Sequence, residues 1–150
     1  MSVDSLEEIL EILNRRRKHC RDLLNLSRQQ NGVIHLSDYS QLMTILAQKQ
    51  RVLGRLDEIK RRHPDLGQQW RALRDSGQAT VRSDCEMIMA ETETILAELL
   101  QTEKNGAQQL VERRNATRRQ LESISQGVHV NEIYRDSIGG SDHRYLDIDR

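Results

Sequence analysis

The chain has 150 residues, the size of one ordinary domain, and its 23 basic and 23 acidic residues leave no net charge. There is therefore no overall field that would attract nucleic acid or an anionic membrane surface, and we expect neither as a partner. Hydrophobic residues make up 36% of the chain, Phe is absent and proline occurs once, which favours long helices with narrow apolar stripes.

The first predicted helix begins at Ser5. Ser5 and Glu8 have the S-x-x-E spacing in which each side chain accepts a hydrogen bond from the backbone N–H of the other residue. Apolar residues follow at helical spacing: Leu6, Ile9, Leu10, Leu13, Cys20, Leu23 and Leu24. Gly32 is expected to end this helix, because glycine readily adopts the left-handed conformation of a C-terminal cap.

The second predicted helix begins near Ser37 or Asp38, where Asp38 and Gln41 repeat the capping pattern. It ends at His63, because Pro64 disfavours helical conformation in the residue before it. Its apolar stripe consists of Leu42, Ile45, Leu46, Leu53, Leu56 and Ile59, with Lys49 among them. We interpret Lys49, and Arg17 in the first helix, as side chains with a buried stem and a solvated charge. A polar contact to a partner is the alternative.

A short helix is predicted within residues 65–75, followed by a stop at Gly77, and a long third main helix from about Ala79 to about Ser125. The stripe of this long helix consists of Val81, Cys85, Ile88, Thr92, Ile95, Leu99, Leu110, Thr117, Leu121 and Ile124. Its weak point is Asn105–Gly106, because an internal glycine costs about 1 kcal/mol relative to alanine. We favour an unbroken helix over two pieces that would close into a four-helix bundle.

Residues after Gln126 lack a helical period and contain three glycines, so we interpret 127–150 as a flexible C-terminal tail. The predicted organisation is thus a helical bundle over 1–126 and a tail over 127–150. The tail contains Asp142, His143, Asp147 and Asp149. These residue types can bind a metal ion, but we favour a solvated, charged tail and predict no metal site.

The predicted fold is an all-α, antiparallel three-helix, coiled-coil-like bundle with a long third helix. The first two helices are each about 40 Å long and an unbroken third helix about 70 Å, so a hairpin of the first two covers only about half of it. The stripe from Leu99 to Ile124 then needs another cover. A second copy, a helix of a client protein or the returning tail would each supply one.

No catalytic pattern is present in the sequence. The five histidines lack metal-ligand spacing to one another or to cysteine, and there is no phosphate-binding glycine loop, so we predict neither an enzyme nor a cofactor. Cys20 and Cys85 are interpreted as core residues rather than nucleophiles. Basic runs at 15–18, 60–63, 113–114 and 118–119 resemble phosphate contacts, but we favour solvated helix faces because no aromatic residue interleaves them.

The acidic N-terminus does not resemble a signal peptide, and no run of about 18 apolar residues would cross a membrane. We therefore expect a cytoplasmic protein without membrane insertion. Three methionines, Met43, Met87 and Met89, are assigned to the edge of the core, with a binding groove for a client as the alternative.

The segment SDYSQLMTILAQKQRVLGRLDEI, residues 37–59 with Lys49 at its middle, resembles the second helix of FlgN-type flagellar export chaperones. The first helix, from Leu6 to Leu26, and the stretch EKNGAQQLVERRNATRRQL, residues 103–121, are also similar to that family, so the resemblance covers about residues 5–125. The extension from Gly139 to Arg150 departs from the family pattern.

The resemblance implies a chaperone that binds hook–filament junction proteins in the bacterial cytoplasm, prevents their premature assembly and delivers them to the type III export gate. The client's terminal amphipathic helix would pack on the chaperone's helices. The predicted partner-binding residues are Leu99, Leu110, Leu121 and Ile124, and Tyr134 is the best match to the aromatic residue with which the family contacts the gate. The alternative is a self-associating structural or adaptor coiled coil, for example a homodimer. A third class, an enzyme, would require a metal or cofactor that the sequence does not predict.

Overall fold

The computed structural model describes residues 3–36 and 38–138, and every regular element within them is an α-helix. The helices are α1 (Leu6–Ile34), α2 (Tyr39–Arg62), α3 (Leu66–Leu73) and α4 (Ala79–Ile138). The prediction of an all-α chain with a long C-terminal helix is confirmed.

The predicted helix starts are confirmed by their capping contacts. Ser5 Oγ accepts a hydrogen bond of 3.3 Å from the N–H of Glu8, and Asp38 Oδ1 accepts one of 3.0 Å from the N–H of Gln41. The return contact differs from the expected one, since Glu8 Oε2 accepts from the N–H of Asp4 at 3.2 Å rather than from Ser5. Both helices therefore begin with a carboxylate or hydroxyl acceptor near the positive end of the helix dipole.

Two of the predicted helix ends are wrong. The first helix does not stop at Gly32 but continues to Ile34, because Val33 and Ile34 are buried and their burial outweighs the low helix propensity of one glycine. The last helix does not stop near Ser125 but continues to Ile138, so residues 127–138 belong to α4. One internal glycine, Gly127, costs only about 1 kcal/mol, and each further residue adds a backbone hydrogen bond. The rest of the predicted tail, 139–150, lies outside the described residues.

The other predicted ends are confirmed. α2 stops at Arg62, and His63 adopts a non-helical conformation before Pro64 while its N–H still donates to the carbonyl of Ile59 at 3.0 Å. α4 passes through Asn105–Gly106 without interruption. The unbroken helix is therefore the correct alternative.

The chain divides into two compact units between Ala107 and Gln108, whereas the boundary predicted at residue 126 falls inside α4. The core of the first unit is a seam of aliphatic side chains in two clusters. The first cluster contains Val3, Leu6, Ile9, Ile12, Leu13, Cys85 and Ile88. The second contains Cys20, Leu24 and Ile95, with Leu56, Leu96 and Leu99 packed against it. Leu, Ile and Val at helical spacing thus form most of the core, and Trp70 packs against the first cluster.

Polar contacts between α1 and α4 follow the same seam. Arg17 Nη1 donates to Glu91 Oε2 at 2.7 Å, and Arg28 Nη2 donates to Glu98 Oε2 at 2.9 Å. Further along, Asn31 Nδ2 donates to the carbonyl of Thr102 at 2.9 Å. In these three contacts, a higher residue number in α1 goes with a higher residue number in α4.

Candidate partner-binding surface

A half-buried lysine joins three helices of the first unit. Lys49 Nζ of α2 donates to Gln30 Oε1 of α1 at 2.7 Å and to Glu103 Oε1 of α4 at 2.6 Å. Ser27 Oγ of α1 donates to the same Glu103 oxygen at 2.5 Å. We refer to Ser27, Gln30, Lys49 and Glu103 as the Lys49 cluster. The side chain of Lys49 is only 12% exposed, so the prediction of a solvated charge is wrong: the ammonium finds its partners within the chain.

The Lys49 cluster holds its carboxylate in the ionised form. Burial alone would raise the pKa of Glu103, but the hydrogen bonds from Lys49 and Ser27 and the charge of Lys49 together lower that pKa below its ordinary value. The ion pair therefore exists at neutral pH. It offers no free charge for a partner, and we interpret it as the contact that sets the alignment of α2 against α4.

The glycine in the middle of α4 has a packing role. Gly106 is buried, and a Cβ atom there would collide with Oδ1 of Asn31. Asn31 uses its amide nitrogen to bond the carbonyl of Thr102 one turn earlier. Gly106 therefore lets α1 approach α4 closely, which explains a helix-breaking residue inside an unbroken helix.

The predicted partner-binding residues fall into three groups. Leu99 packs against the second core cluster and is half-buried, so it contributes to the core of the first unit. Leu110, Leu121 and Ile124 lie in the second unit and are exposed. Tyr134 lies in α4, but its side chain is outside the described residues.

Leu110, Leu121 and Ile124 of the second unit lie on one face of α4, whereas the exposed Ile133 lies about 140° from Leu110. At about 100° per residue, all members of this face fall within about 40° of Leu110. We call it the α4 stripe: Leu110, Thr117, Leu121, Ile124 and Val128. Its spacing of seven, four, three and four residues is that of a coiled-coil seam. Val111 is as exposed as Leu110, at 45% against 46%, but lies about 100° away from it.

Three of the four arginines in residues 108–128 border the α4 stripe, whereas Arg119 lies on the opposite face of the helix. Arg114 and Arg118 are exposed and lie about 40° and 80° from the centre of the stripe, and Arg113 lies about 60° away on the other side. Glu112 and Glu122 lie at least about 120° away. Residues 108–128 contain four Arg and two Glu, a net charge of +2. The sequence-based interpretation of these arginines as part of a solvated helix face leaves out their angular position, which places Arg113, Arg114 and Arg118 beside the stripe.

The described residues contain no group of three His, Cys, Asp or Glu side chains that would hold a metal ion. The sequence candidate at Asp142 and His143 lies outside the described residues. Burial raises the pKa of both Cys20 and Cys85, which is the opposite of what an activated thiol requires. Among the described helices, none is both long and apolar enough to cross a membrane.

The three methionines assigned to the core edge differ in their exposure to solvent. Met89 packs against the first core cluster, in agreement with the core-edge interpretation. Met43 and Met87 are exposed.

Comparison with protein-family models, with curated proteins and with solved structures found no match to this chain.

Proposed function

We propose that this protein binds an amphipathic helix of another protein along the α4 stripe and so keeps that protein from assembling prematurely. The observation that carries the proposal is the exposed apolar stripe of residues 110–128 with arginines along its edges. Contiguous apolar residues on a surface helix are costly to leave in water and are typical of binding sites. A helical client would cover them in the helix-in-groove mode, in which anchors recur at three and four residues.

The charges around the α4 stripe favour a client helix with acidic residues beside its apolar face. Arg114 and Arg118 would face those acids across the edge of the interface, where charge complementarity increases the association rate and selects the partner. A second copy of this chain would bring the same net charge of +2 to the contact. A client therefore fits better than self-association, although the coiled-coil spacing of the stripe supports a self-associating adaptor as the second candidate.

We further propose that α1, α2 and the first part of α4 form an antiparallel three-helix bundle. The order of the contacts supports this arrangement. Higher residue numbers in α1 pair with higher residue numbers in α4, as in Arg17–Glu91 and Arg28–Glu98. In α2 the order is reversed, since Lys49 contacts Glu103 whereas the later residue Leu56 packs against the cluster that contains Ile95. Such a bundle would hold the beginning of α4 rigidly.

The resemblance to FlgN-type chaperones supports a specific client class. On that basis the protein is a cytoplasmic type III export chaperone, its client helix is the terminal helix of a hook–filament junction protein, and Tyr134 contacts a second partner such as the export gate. No enzymatic activity, cofactor or nucleic acid is part of this proposal.

The proposal is tested by a matched pair of variants, Leu110→Asp and Val111→Asp. The two positions are equally exposed, neighbouring and in the same helix, but only Leu110 lies on the α4 stripe. We expect Leu110→Asp to weaken binding of a terminal-helix peptide from a hook–filament junction protein at least about tenfold, and Val111→Asp to change it less than about threefold. The measurement is isothermal titration calorimetry, with helicity checked by circular dichroism.

Equal loss of affinity in both variants would show that the stripe does not select the partner. If the protein binds no client peptide but forms a dimer that Leu110→Asp dissociates, as measured by light scattering, the self-associating adaptor is the correct candidate.

A further inference from the structure

Two of the basic runs noted in the sequence meet at one small cavity between α1 and the end of α2. The cavity has a volume of about 110 Å³. Its polar lining consists of Arg15, His19, Arg55, Glu58, Arg62 and His63. We call it the basic cavity. Arg15 of α1 and Arg55 of α2 both line this cavity although they are far apart in the sequence. The sequence pattern of neither basic run predicts that the two runs meet.

The basic cavity has an excess of positive charge. Of its three guanidinium groups, that of Arg62 is paired with Glu58, with Nη2 at 2.7 Å from Oε1. Among the described residues, neither Arg15 nor Arg55 has a carboxylate within 4.0 Å. Three guanidinium groups thus face one carboxylate, and because like charges repel, an anion bound between Arg15 and Arg55 would stabilise this region of the fold.

Two imidazoles in the basic cavity lack partners for a ring nitrogen. Nδ1 of His19 and Nδ1 of His63 are both shielded from solvent and bonded to no described group. Burial lowers the pKa of each imidazole, and nearby cations lower it further: Lys18 and Arg55 act on His19, and Arg15 acts on His63. The carboxylate of Asp22 opposes this at His19 but does not reverse it. Both rings therefore carry little charge at neutral pH, and the negative charge of a bound anion would favour their protonated forms.

An apolar groove of about 550 Å³ adjoins the basic cavity and shares Ile59 and His63 with it. Its apolar lining also includes Cys20, Leu56, Leu66 and Leu96. Its charged lining consists of Arg16, Asp57 and Lys60. A ligand with an anionic group and a short apolar part would thus find a complementary surface for each.

We propose that the basic cavity binds a phosphate-class oxyanion, either as free phosphate or as the head of a monoester whose apolar part occupies the adjoining groove. The fork of an Arg guanidinium matches two oxygens of such an ion, and Arg15 and Arg55 approach the cavity from different helices. The site is separate from the α4 stripe in sequence and chemistry, so its test does not depend on the proposed chaperone function.

The test is a titration of the full-length protein with inorganic phosphate, balanced with sodium chloride at constant ionic strength and constant pH, and followed by NMR of the imidazole resonances. We expect saturable shifts of the His19 and His63 signals and no shift of His129, which is exposed in the second unit. A parallel titration with hexyl phosphate distinguishes the two sources. Tighter binding of hexyl phosphate indicates a monoester in the groove, and equal binding indicates recognition of phosphate alone.

The variant Arg55→Gln removes one unpaired guanidinium, and its matched control is Arg51→Gln, one turn earlier on α2 and outside the cavity. We expect Arg55→Gln to raise the dissociation constant about tenfold and Arg51→Gln to change it less than about twofold. Arg15→Gln repeats the test from α1 should Arg55→Gln reduce helicity. Shifts that do not saturate, that include His129 equally, or that respond alike to both arginine variants would overturn the proposal.

Discussion

Replacing Lys49 with methionine should destabilise the first unit although it removes a charge from a mostly apolar seam. Lys49 Nζ makes two hydrogen bonds, to Gln30 and Glu103, and its side chain is 12% exposed. Methionine fills a similar volume but leaves the Glu103 carboxylate with Ser27 as its remaining described partner. Lys49→Met therefore removes an ion pair while leaving the packing of the side chain nearly unchanged.

The expected size follows from these contacts. A hydrogen bond to a charged group contributes about 1.5–3 kcal/mol, and the loss of one partner of a buried pair costs more. Glu103, however, is 44% exposed and water will partly replace the lost contact. We therefore expect Lys49→Met to lower the free energy of unfolding by about 2 kcal/mol near neutral pH.

The effect should depend on pH with a defined sign. Burial raises the pKa of Glu103, but Lys49 and Ser27 together lower it below its usual value of 4.5. The pair's contribution is thus fully present above 4.5 and is lost as the pH falls through the lowered pKa of the folded protein. The free energies of unfolding of wild type and Lys49→Met should become more similar in acid, because protonated Glu103 no longer attracts Lys49.

The assay is urea unfolding of wild type, Lys49→Met, Glu103→Gln and the double variant at about pH 7 and about pH 3. The control is Arg61→Met, which removes the exposed partner of Asp57, 3.1 Å away, and should cost less than about 0.5 kcal/mol. A coupling energy between Lys49 and Glu103 below about 0.5 kcal/mol at neutral pH, or one that persists in acid, would refute this reasoning.

Three further predictions concern glycines and thiols. Gly106→Ala should stabilise α4 by up to about 1 kcal/mol in an Asn31→Ala background but be neutral or destabilising in wild type. Thermal unfolding of wild type, the two single variants and the double variant measures whether the effect of Gly106→Ala on stability changes sign. Gly77→Ala should lower stability by about 1–3 kcal/mol because its Cβ would collide with the side chain of Leu6; an unchanged melting temperature would contradict the packing. Cys20 and Cys85 should resist a thiol reagent in the native protein and react fully in urea, because burial shields both and raises their pKa.

The helix starts and the stripe were within reach of sequence reasoning because their causes are local. Ser5 and Asp38 cap the helices that follow them, and Pro64 ends α2, through contacts that span a few residues. The shared face of Leu110, Leu121 and Ile124 also follows from spacing alone, since these residues recur at helical intervals. Helix class, caps and amphipathic faces were therefore determined by the sequence itself.

Other features were decided by contacts between distant residues. Gly32 and Gly106 look like helix breaks in the sequence, but Val33 and Ile34 are buried around one and Asn31 packs on the other. The same holds for Lys49, whose carboxylate partner Glu103 is 54 residues away. Such pairings depend on which helix faces meet, and a single helix period contains no information about that choice. Local chemistry therefore determined the helices of this protein, and their packing decided which polar groups are structural and which helix faces stay exposed.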